Sequence, residues 1–234
     1  MTAINVVILA AGLGRRLGLA EPKPLAPING RVSIIEEQLR KLDIVFPGHQ
    51  TTIVVGHLAS RFDFLSSRAS LVLNPDYATT NTAKSLLIGL QAAQPGGVLW
   101  MNGDVVFSEN ALSACSSLVA QDISFSVVNE SQVADEEVGY TTDANGVITS
   151  IGKKVPRAIG EAFGINYVGS EDRSAIDGLL KKARKDDFFE AAMNLASQSR
   201  TVRFETVLVG ASEAIEVDTK EDLAQAQERF GNPL

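Results

Sequence analysis

Residues 9–25, with the sequence LAAGLGRRLGLAEPKPL, decide the fold class of this chain. They leave an apolar run and continue at once into two glycines, two arginines and a Pro-Lys-Pro sequence. Backbone N–H groups beside glycine can approach anionic oxygen atoms closely, and the basic side chains add positive charge. The candidate phosphate contacts are Gly12, Gly14, Arg15, Arg16 and Lys23. A strand followed by such a loop predicts an α/β fold with an anion-binding site.

A dinucleotide-binding turn is the first alternative for this loop. Such a turn runs straight into a helix and needs an acidic residue about 20 positions further on. Here Pro22, Pro24 and Pro27 interrupt the region where the helix would lie, and no suitable acid ends a second strand. A longer loop that surrounds a triphosphate fits better. For the glycines and arginines taken alone, a solvated surface turn remains an alternative.

The composition limits the partners of the chain. Its 234 residues, of which 45% are hydrophobic, can bury a sizeable core in one large domain. A net charge of -7 argues against nucleic acid and anionic membrane as partners, because both need a basic face. The single cysteine, Cys115, excludes an internal disulfide framework. Without a basic leader or a membrane-spanning apolar run, we expect a cytoplasmic location.

Apolar, β-branched runs alternate with segments of helical spacing in the first part of the chain. The predicted strands cover residues 4–10, 51–56, 70–74, 97–102 and 123–128, and the predicted helices cover 33–45, 60–67, 82–93 and 109–120. Nearly continuous apolar strands are typical of a sheet that is buried on both faces. The pattern predicts a Rossmann-like, mostly parallel mixed sheet flanked by helices.

The alternation changes after residue 129. The next segments predict a β-hairpin with its turn at 143–146, a strand at 162–170, helices at roughly 171–185 and 187–198, and a closing strand and helix capped by Thr219 and Asp222. We interpret the chain as one domain. Its parts are a nucleotide-binding part at 1–129, an acceptor-binding elaboration at 130–215, and a closing metal motif and helix at 216–234.

The opening motif resembles the signature of the nucleotidyltransferase superfamily, which includes sugar-phosphate nucleotidylyltransferases and small cytidylyltransferases. That signature is Ala-Ala-Gly-x-Gly-(Thr/Ser)-Arg, a variable gap, and Pro-Lys. The matching positions are Ala10, Ala11, Gly12, Leu13 and Gly14 for the loop, Arg16 for the arginine and Lys23 for the lysine. Arg15 stands where the family prefers Thr or Ser. The resemblance implies that residues 10–15 bind the nucleotide and that Arg16 and Lys23 are catalytic.

Two distant segments supply acidic residues. Asp104 follows a buried strand, at the crevice where open α/β sheets bind ligands, and Glu216 and Asp218 are expected on one face of a strand. Carboxylates from distant segments are typical ligands of Mg²⁺. The resemblance implies that Asp104 and Asp218 hold Mg²⁺ as the cofactor and that Asp104 lies at the nucleotide. A turn-forming role for Asp104 and a helix cap at Asp218 are the structural alternatives.

A stretch at the start of a predicted helix resembles the base-binding and ribose-binding region of the small cytidylyltransferases. It contains Asn81, Thr82 and Ser85. The resemblance implies nucleotide binding by these residues and favours CTP. Plain N-capping explains Asn81 or Thr82 equally well.

Acceptor-binding residues are expected in the second half of the chain. The resemblance places Lys153 near the acceptor phosphate and Glu161 and Glu190 near a cationic amine, and Glu216 belongs to the same cluster of acids, one of which is expected to offset the amine's charge. Phe188 or Phe189 could add a cation–π contact. Ala214-Ile215 stands where phosphocholine-type enzymes carry an aromatic residue, which favours a primary amine over a quaternary one. A solvated turn, an exposed helix acid and core aromatics are the alternatives.

These features predict Mg²⁺-dependent transfer of CMP from CTP to a small phosphorylated or phosphonate acceptor, with release of pyrophosphate. The expected acceptors are of the phosphocholine, phosphoethanolamine or 2-aminoethylphosphonate type. An anionic acceptor needs no general base, in keeping with a chain that has only two histidines. The alternatives are a sugar-1-phosphate or polyol-phosphate nucleotidylyltransferase that uses another NTP, a non-catalytic nucleotide-binding protein and a Rossmann oxidoreductase. The assembly state is open, with a homodimer as one option.

Overall fold

A computed structural model describes residues 4–14, 16–131, 133 and 137–231. The strands are β1 (Asn5–Ala10), β2 (Pro27–Asn29), β3 (Val32–Ser33), β4 (Gln50–Val55), β5 (Ser70–Leu73), β6 (Val98–Asn102), β7 (Val105–Phe107), β8 (Phe125–Val128), β9 (Val138–Thr142), β10 (Ile148–Lys153), β11 (Gly160–Val168), β12 (Glu205–Leu208) and β13 (Ala214–Glu216). The helices are α1 (Ile34–Val45), α2 (Thr82–Ala92), α3 (Glu109–Ser113), α4 (Ser116–Ala120), α5 (Arg173–Lys182), α6 (Phe189–Gln198) and α7 (Lys220–Phe230). Short 3-10 helices span Lys23–Leu25 and Ala59–Leu65.

Among the described residues, nine strands form the main sheet. Its order is β10-β9-β11-β6-β1-β4-β5, and β8 pairs with both β11 and β12. β1 lies between β4 and β6 in parallel register, so that Ile8 is opposite both Ile53 and Met101. β11 runs antiparallel to β6 and also pairs with β9, the first strand of the β9–β10 hairpin. The predicted mostly parallel mixed sheet is confirmed, and the carboxyl ends of β1 and β6 meet at one edge.

Helices cover both faces of the sheet because successive β1 residues point to opposite sides. Ile8 packs in the cluster beneath α1, whereas Val7 packs in the cluster beneath α2, α5 and α6. In the second cluster the rings of Trp100 and Phe189 meet edge to face, 5.8 Å apart. A third, smaller cluster joins α7 to β7 and the start of α1. Burying each of these large side chains stabilises the fold by about 1.5–3 kcal/mol.

Two predicted helices differ from the structure, and four short strands were not predicted. The helix predicted at 109–120 is two helices, α3 and α4, which are separated at Ala114 and Cys115, where the N–H of Cys115 donates a 3-10-type hydrogen bond to the carbonyl of Leu112. The helix predicted at 60–67 is a 3-10 helix. Strands β2, β3, β7 and β12, of two to four residues each, were not predicted.

The predicted hairpin and the closing helix are confirmed. The turn between β9 and β10 is held by the Asp143 carboxylate, which accepts hydrogen bonds from the backbone N–H groups of Asn145 and Val147. Thr219 and Asp222 form the predicted capping box at the start of α7. No helix among the described residues has the length and apolar character needed to cross a membrane. The division into nucleotide-binding and acceptor-binding parts stays a prediction.

Candidate active site

A cavity opens at the carboxyl ends of β1 and β6, between the glycine loop and the second half of the chain. It brings together most of the residues that the sequence predicts for the site: Ala10, Ala11, Gly12, Gly14, Arg16, Lys23, Asn81, Thr82, Ser85, Asp104, Lys153, Phe188, Glu190, Glu216 and Asp218. It also contains residues that the sequence analysis missed, namely Leu9, Pro24, Tyr77, Thr80, Asn102 and Val138. Asn102 could have been found, because it ends a buried parallel strand.

Two predicted residues do not line the cavity, and a third cannot be placed because it lies outside the described residues. Leu13 does not line it, and Arg15 lies outside the described residues. Glu161 lies on β11 and accepts a hydrogen bond from the side-chain amide of Asn129 instead of facing the cavity. Burial and the charge of Glu137 raise the pKa of Glu161 to about 7. Glu161 is therefore not among the residues that line this cavity, and its acceptor role stays a prediction.

The glycine loop packs against Lys23. Gly14 has a φ of 59°, in the left-handed region, and a Cβ there would lie 3.0 Å from Cγ of Lys23. A Cβ at Gly12 would meet no protein atom within 4 Å. The protein itself therefore requires glycine at position 14, whereas the backbone at position 12 faces open space in the cavity.

Lys23 lies at the centre of the charged residues. Its ammonium group is 3.4 Å from Oδ2 of Asp104 and donates a hydrogen bond to Oδ1 of Asp218. Arg16 lies 2.8 Å from the other oxygen of Asp218, but its side chain is 57% exposed. An exposed pair of this kind contributes only about 0–1 kcal/mol, whereas Lys23 is buried and depends on its partners. The lysine is the structural centre of the site.

Burial and mutual repulsion shift the pKa values of the carboxyl groups. Burial raises the pKa of Asp104, Lys23 opposes that shift, and the charge of Asp218 adds to it. The pKa of Glu216 is raised well above its ordinary value by burial and by the charges of Asp104 and Asp218. Burial lowers the pKa of Lys23, but the two aspartates outweigh it, so that the net shift is upward. The ammonium group therefore stays charged at neutral pH.

The carboxylates of Asp104, Glu216 and Asp218 each offer an oxygen atom within 4.8 Å of the others. Short antiparallel pairing of β13 with β7 brings Glu216 opposite Val105, and the carbonyl of Asp104 accepts a hydrogen bond from the N–H of Val217. Three clustered carboxylates fit a hard divalent cation such as Mg²⁺. The sequence analysis assigned Glu216 to the acceptor; the structure places it beside both predicted metal ligands.

The acceptor side of the cavity is built from β10 and the start of α6. The ammonium group of Lys153 lies 5.0 Å from the ring centroid of Phe188. Phe189 instead packs in the core, so only the first member of this aromatic pair lines the cavity. Glu190 is buried, and its Oε2 atom has no hydrogen-bond partner. Burial raises the pKa of Glu190 to about 7, although the charge of Lys153 opposes that shift.

The predicted nucleotide-binding stretch is connected to the acceptor side by hydrogen bonds. Asn81 caps α2 by accepting a bond from the N–H of Thr82, as the capping alternative expects. The hydroxyl of Thr82 accepts a bond from the N–H of Phe189 at 3.1 Å. Ser85 accepts a bond from the buried amide of Asn74 at 3.1 Å. The start of α2 thus supports the segment that carries Phe188 and Glu190.

Residues 6–154 match the sequence model of the MobA-like NTP transferase domain. The chain belongs to the MobA-like NTP transferase family. The matched residues include the glycine loop, Lys23, Asp104 and Lys153, whereas Glu216 and Asp218 lie after the matched segment.

One curated relative of this NTP transferase is similar to only part of the chain. The chain is 31% identical to the bifunctional protein GlmU of Synechococcus sp. (strain CC9311), over 63% of this chain and 34% of that protein. The chain thus spans about a third of the length of this curated relative.

Two solved structures share its fold over nearly the whole chain. The CTP:phosphocholine cytidylyltransferase LicC from Streptococcus pneumoniae has a TM-score of 0.79 and 22% identity, covering 97% of this chain and 98% of that chain. The inositol-1-phosphate CTP transferase from T. maritima has a TM-score of 0.81 and 15% identity, covering 100% and 99%. At such low identity, these likenesses establish the shared fold alone.

Replacing Glu190 with Gln should reduce the pH dependence of stability. With a pKa of about 7 when folded and an ordinary value of 4.5, Glu190 keeps its proton in the folded state while the unfolded chain loses it. The free energy of unfolding of the wild type therefore falls as the pH rises through this window. As the pH rises from about 4.5 to 7, the free energy of unfolding of Glu190→Gln should increase by up to about 3 kcal/mol relative to that of the wild type, measured by urea unfolding.

The matched control for this comparison is Glu228→Gln, on the exposed face of α7. Its stability curve should stay parallel to that of the wild type. A Glu190→Gln curve that is also parallel to the wild type would show that Glu190 titrates normally in the folded protein.

Proposed function

We propose that this protein is a nucleotidylyltransferase that transfers CMP from CTP to a small phosphorylated or phosphonate acceptor and releases pyrophosphate. The observation that carries the proposal is the meeting of the glycine loop, Lys23 and three carboxylates in one cavity. Such a site offers N–H groups and positive charge to a triphosphate, and oxygen ligands to a divalent cation. Membership of the NTP transferase family supports the same reaction class.

The proposed reaction is an in-line displacement at the α-phosphorus of the nucleotide. An oxygen of the acceptor phosphate or phosphonate forms the new P–O bond, and the bond to the β-phosphate oxygen breaks as pyrophosphate leaves. The attacking oxygen is already an anion, so no side chain has to remove a proton. The protein has to align two anions and to provide positive charge where charge develops.

In this scheme Lys23 stabilises the charge that develops on the α-phosphate. Arg16 and the N–H groups of the loop residues 10–14 hold the leaving pyrophosphate. Asp104, Asp218 and Glu216 are the residues that would hold Mg²⁺, which neutralises phosphate charge when bound. These proposed roles are supported by the lining of one cavity by Gly12, Gly14, Arg16, Lys23, Asp104, Glu216 and Asp218.

The choice of CTP is supported by the stretch from Asn81 to Ser85 on the cavity wall and by the fold shared with LicC. For the acceptor, we propose a phosphorylated or phosphonate amine. Oε2 of Glu190 is buried without a donor, and the ring of Phe188 lines the same part of the cavity. A primary ammonium group can donate a hydrogen bond to that oxygen, whereas a quaternary one has no N–H to donate.

A polyol phosphate is the second candidate acceptor. The fold is shared with an inositol-1-phosphate CTP transferase. The hydroxyl groups of a polyol could also donate to Oε2 of Glu190. A sugar 1-phosphate used with another NTP belongs to the same reaction class.

Pyrophosphate release in the presence of Mg²⁺ tests the reaction class. The assay combines each of the four common NTPs with phosphorylated amines, polyol phosphates and sugar 1-phosphates. We expect turnover with CTP and a phosphorylated or phosphonate amine. Lys23→Ala should lower kcat on the order of 10²–10³-fold, because one preorganised charge stabiliser is lost.

Lys182→Ala is the control for the lysine substitution, since it removes the same charge from an exposed position on α5. It should turn over like the wild type. A folded Lys23→Ala variant with nearly normal kcat would contradict the role given to Lys23. No turnover with any pair of substrates would contradict the proposed function.

The acceptor preference follows from the ring of Phe188 and the unpaired Oε2 atom of Glu190. kcat/KM should be higher for phosphoethanolamine or 2-aminoethylphosphonate than for phosphocholine. Glu190→Gln should raise KM for the amine acceptor by about 10–100-fold, equivalent to a charged hydrogen bond of about 1.5–3 kcal/mol. KM for CTP should change little.

Better turnover with phosphocholine than with the primary amines would contradict the proposed preference. Turnover only with polyol phosphates or sugar 1-phosphates would remove the amine from the proposal and leave the reaction class intact. Glu161→Gln is a useful comparison, because Glu161 is a half-buried acid that does not line the cavity and whose pKa is also raised to about 7; this variant should leave both KM values unchanged.

A further inference from the structure

A buried amide on α1, which does not line the cavity, contacts the turn that carries Asp104. Gln38 is only 2% exposed, and its Nε2 group donates hydrogen bonds to the carbonyls of Asn102 at 3.0 Å and Val105 at 2.7 Å. These two carbonyls flank Gly103 and Asp104 on either side. Gln38 therefore bridges the two ends of the turn that presents the carboxylate.

Two further contacts fix the same turn. The N–H of Gly103 donates to the carbonyl of Leu9 at 2.9 Å, and the carbonyl of Asp104 accepts from the N–H of Val217 at 2.9 Å. A Cβ at Gly103 would lie 2.9 Å from the oxygen of Leu9, so the turn is tightly packed against β1. With Gln38, the backbone around Asp104 is held from α1, from β1 and from the segment that carries Asp218.

The side-chain amide of Gln38 donates hydrogen bonds but accepts none from the described residues. Both described bonds from Nε2 go to the turn, whereas Oε1 is buried without a partner. A buried amide with an unpaired oxygen is less favourable than an apolar side chain of the same size would be at a position that only packs. The cost is understandable if the two carbonyls of the turn have to be held in place.

We propose that Gln38 is a positioning residue for Asp104. It holds the turn at 102–105 so that the carboxylate of Asp104 points towards Asp218 and can bind a divalent cation together with it. Gln38 does not line the cavity and touches no substrate in this scheme. The inference rests on the proposed function, because it assigns Asp104 and Asp218 to one cation.

The same helix offers a matched control. Lys41, one turn further along α1, is 4% exposed and donates a hydrogen bond to the carbonyl of Phe107, beyond the turn. Its ammonium group also lies 3.3 Å from Glu37. Lys41→Met therefore removes a buried donor from the same face of α1, and the contacts that bracket Asp104 remain.

The experiment measures Mn²⁺ binding by electron paramagnetic resonance, with α,β-methylene CTP present, for the wild type and for Gln38→Met, Gln38→Asn and Lys41→Met. Loss of a residue that orients a metal ligand typically weakens metal binding by 10–100-fold. We expect the Kd of Mn²⁺ to rise by about 10-fold or more in both Gln38 variants. The Mg²⁺ concentration for half-maximal pyrophosphate release should rise in parallel.

Thermal unfolding of each variant separates positioning from general destabilisation. Lys41→Met should lower Tm but keep the Mn²⁺ Kd of the wild type. Gln38→Asn keeps an amide and removes one methylene, so it provides a folded variant even where Gln38→Met does not fold.

A wild-type Mn²⁺ Kd in the folded Gln38 variants would overturn the proposal, as would an equal rise in Lys41→Met. If the wild type neither binds Mn²⁺ nor releases pyrophosphate, the proposed function falls and this inference falls with it. Wild-type binding and turnover with unchanged Gln38 variants would reject the inference alone.

Discussion

The buried ammonium group of Lys23 is the interaction on which the site depends. It contacts Asp104 and Asp218, which lie 81 and 195 positions further along the chain than Lys23. A buried lysine without a carboxylate partner, or buried carboxylates without a cation, would carry a large desolvation penalty. The glycine loop, the end of β6 and the segment before α7 therefore have to meet at one point. The parallel order of β1 and β6 makes this meeting possible, because both strands end at the same edge of the sheet.

The two sides of the cavity present different groups, and this difference supports their proposed roles. The loop side presents backbone N–H groups, Arg16 and Lys23, as a triphosphate requires. The far side presents Glu190 and the ring of Phe188, as a small amine requires. Glu216 lies beside Asp104 and Asp218, and the charge of Glu190 also contributes to its raised pKa. The start of α2 connects the two sides through the bond between Thr82 and Phe189.

The sequence was sufficient for the sheet, the loop and most of the cavity, because each has a strong local signal. Long apolar strands, glycine followed by basic residues, and an acid at the end of a strand are readable one segment at a time. Short elements were not readable: the pairing of β13 with β7, which places Glu216 beside Asp104, involves only three residues on each strand. The position of Glu161 outside the cavity lining and the contact of Gln38 with the turn depend on packing between distant elements. Neither leaves a periodic pattern in the chain.

The most direct test of this account is a double-mutant cycle on Asp104 and Asp218, with Mg²⁺-dependent pyrophosphate release as the readout. If both carboxylates serve one cation, Asp104→Ala and Asp218→Ala should each abolish most of the turnover. The double variant should then be hardly worse than either single variant, since residues that act as a unit are strongly non-additive. Modest losses that multiply independently in the double variant would contradict the account.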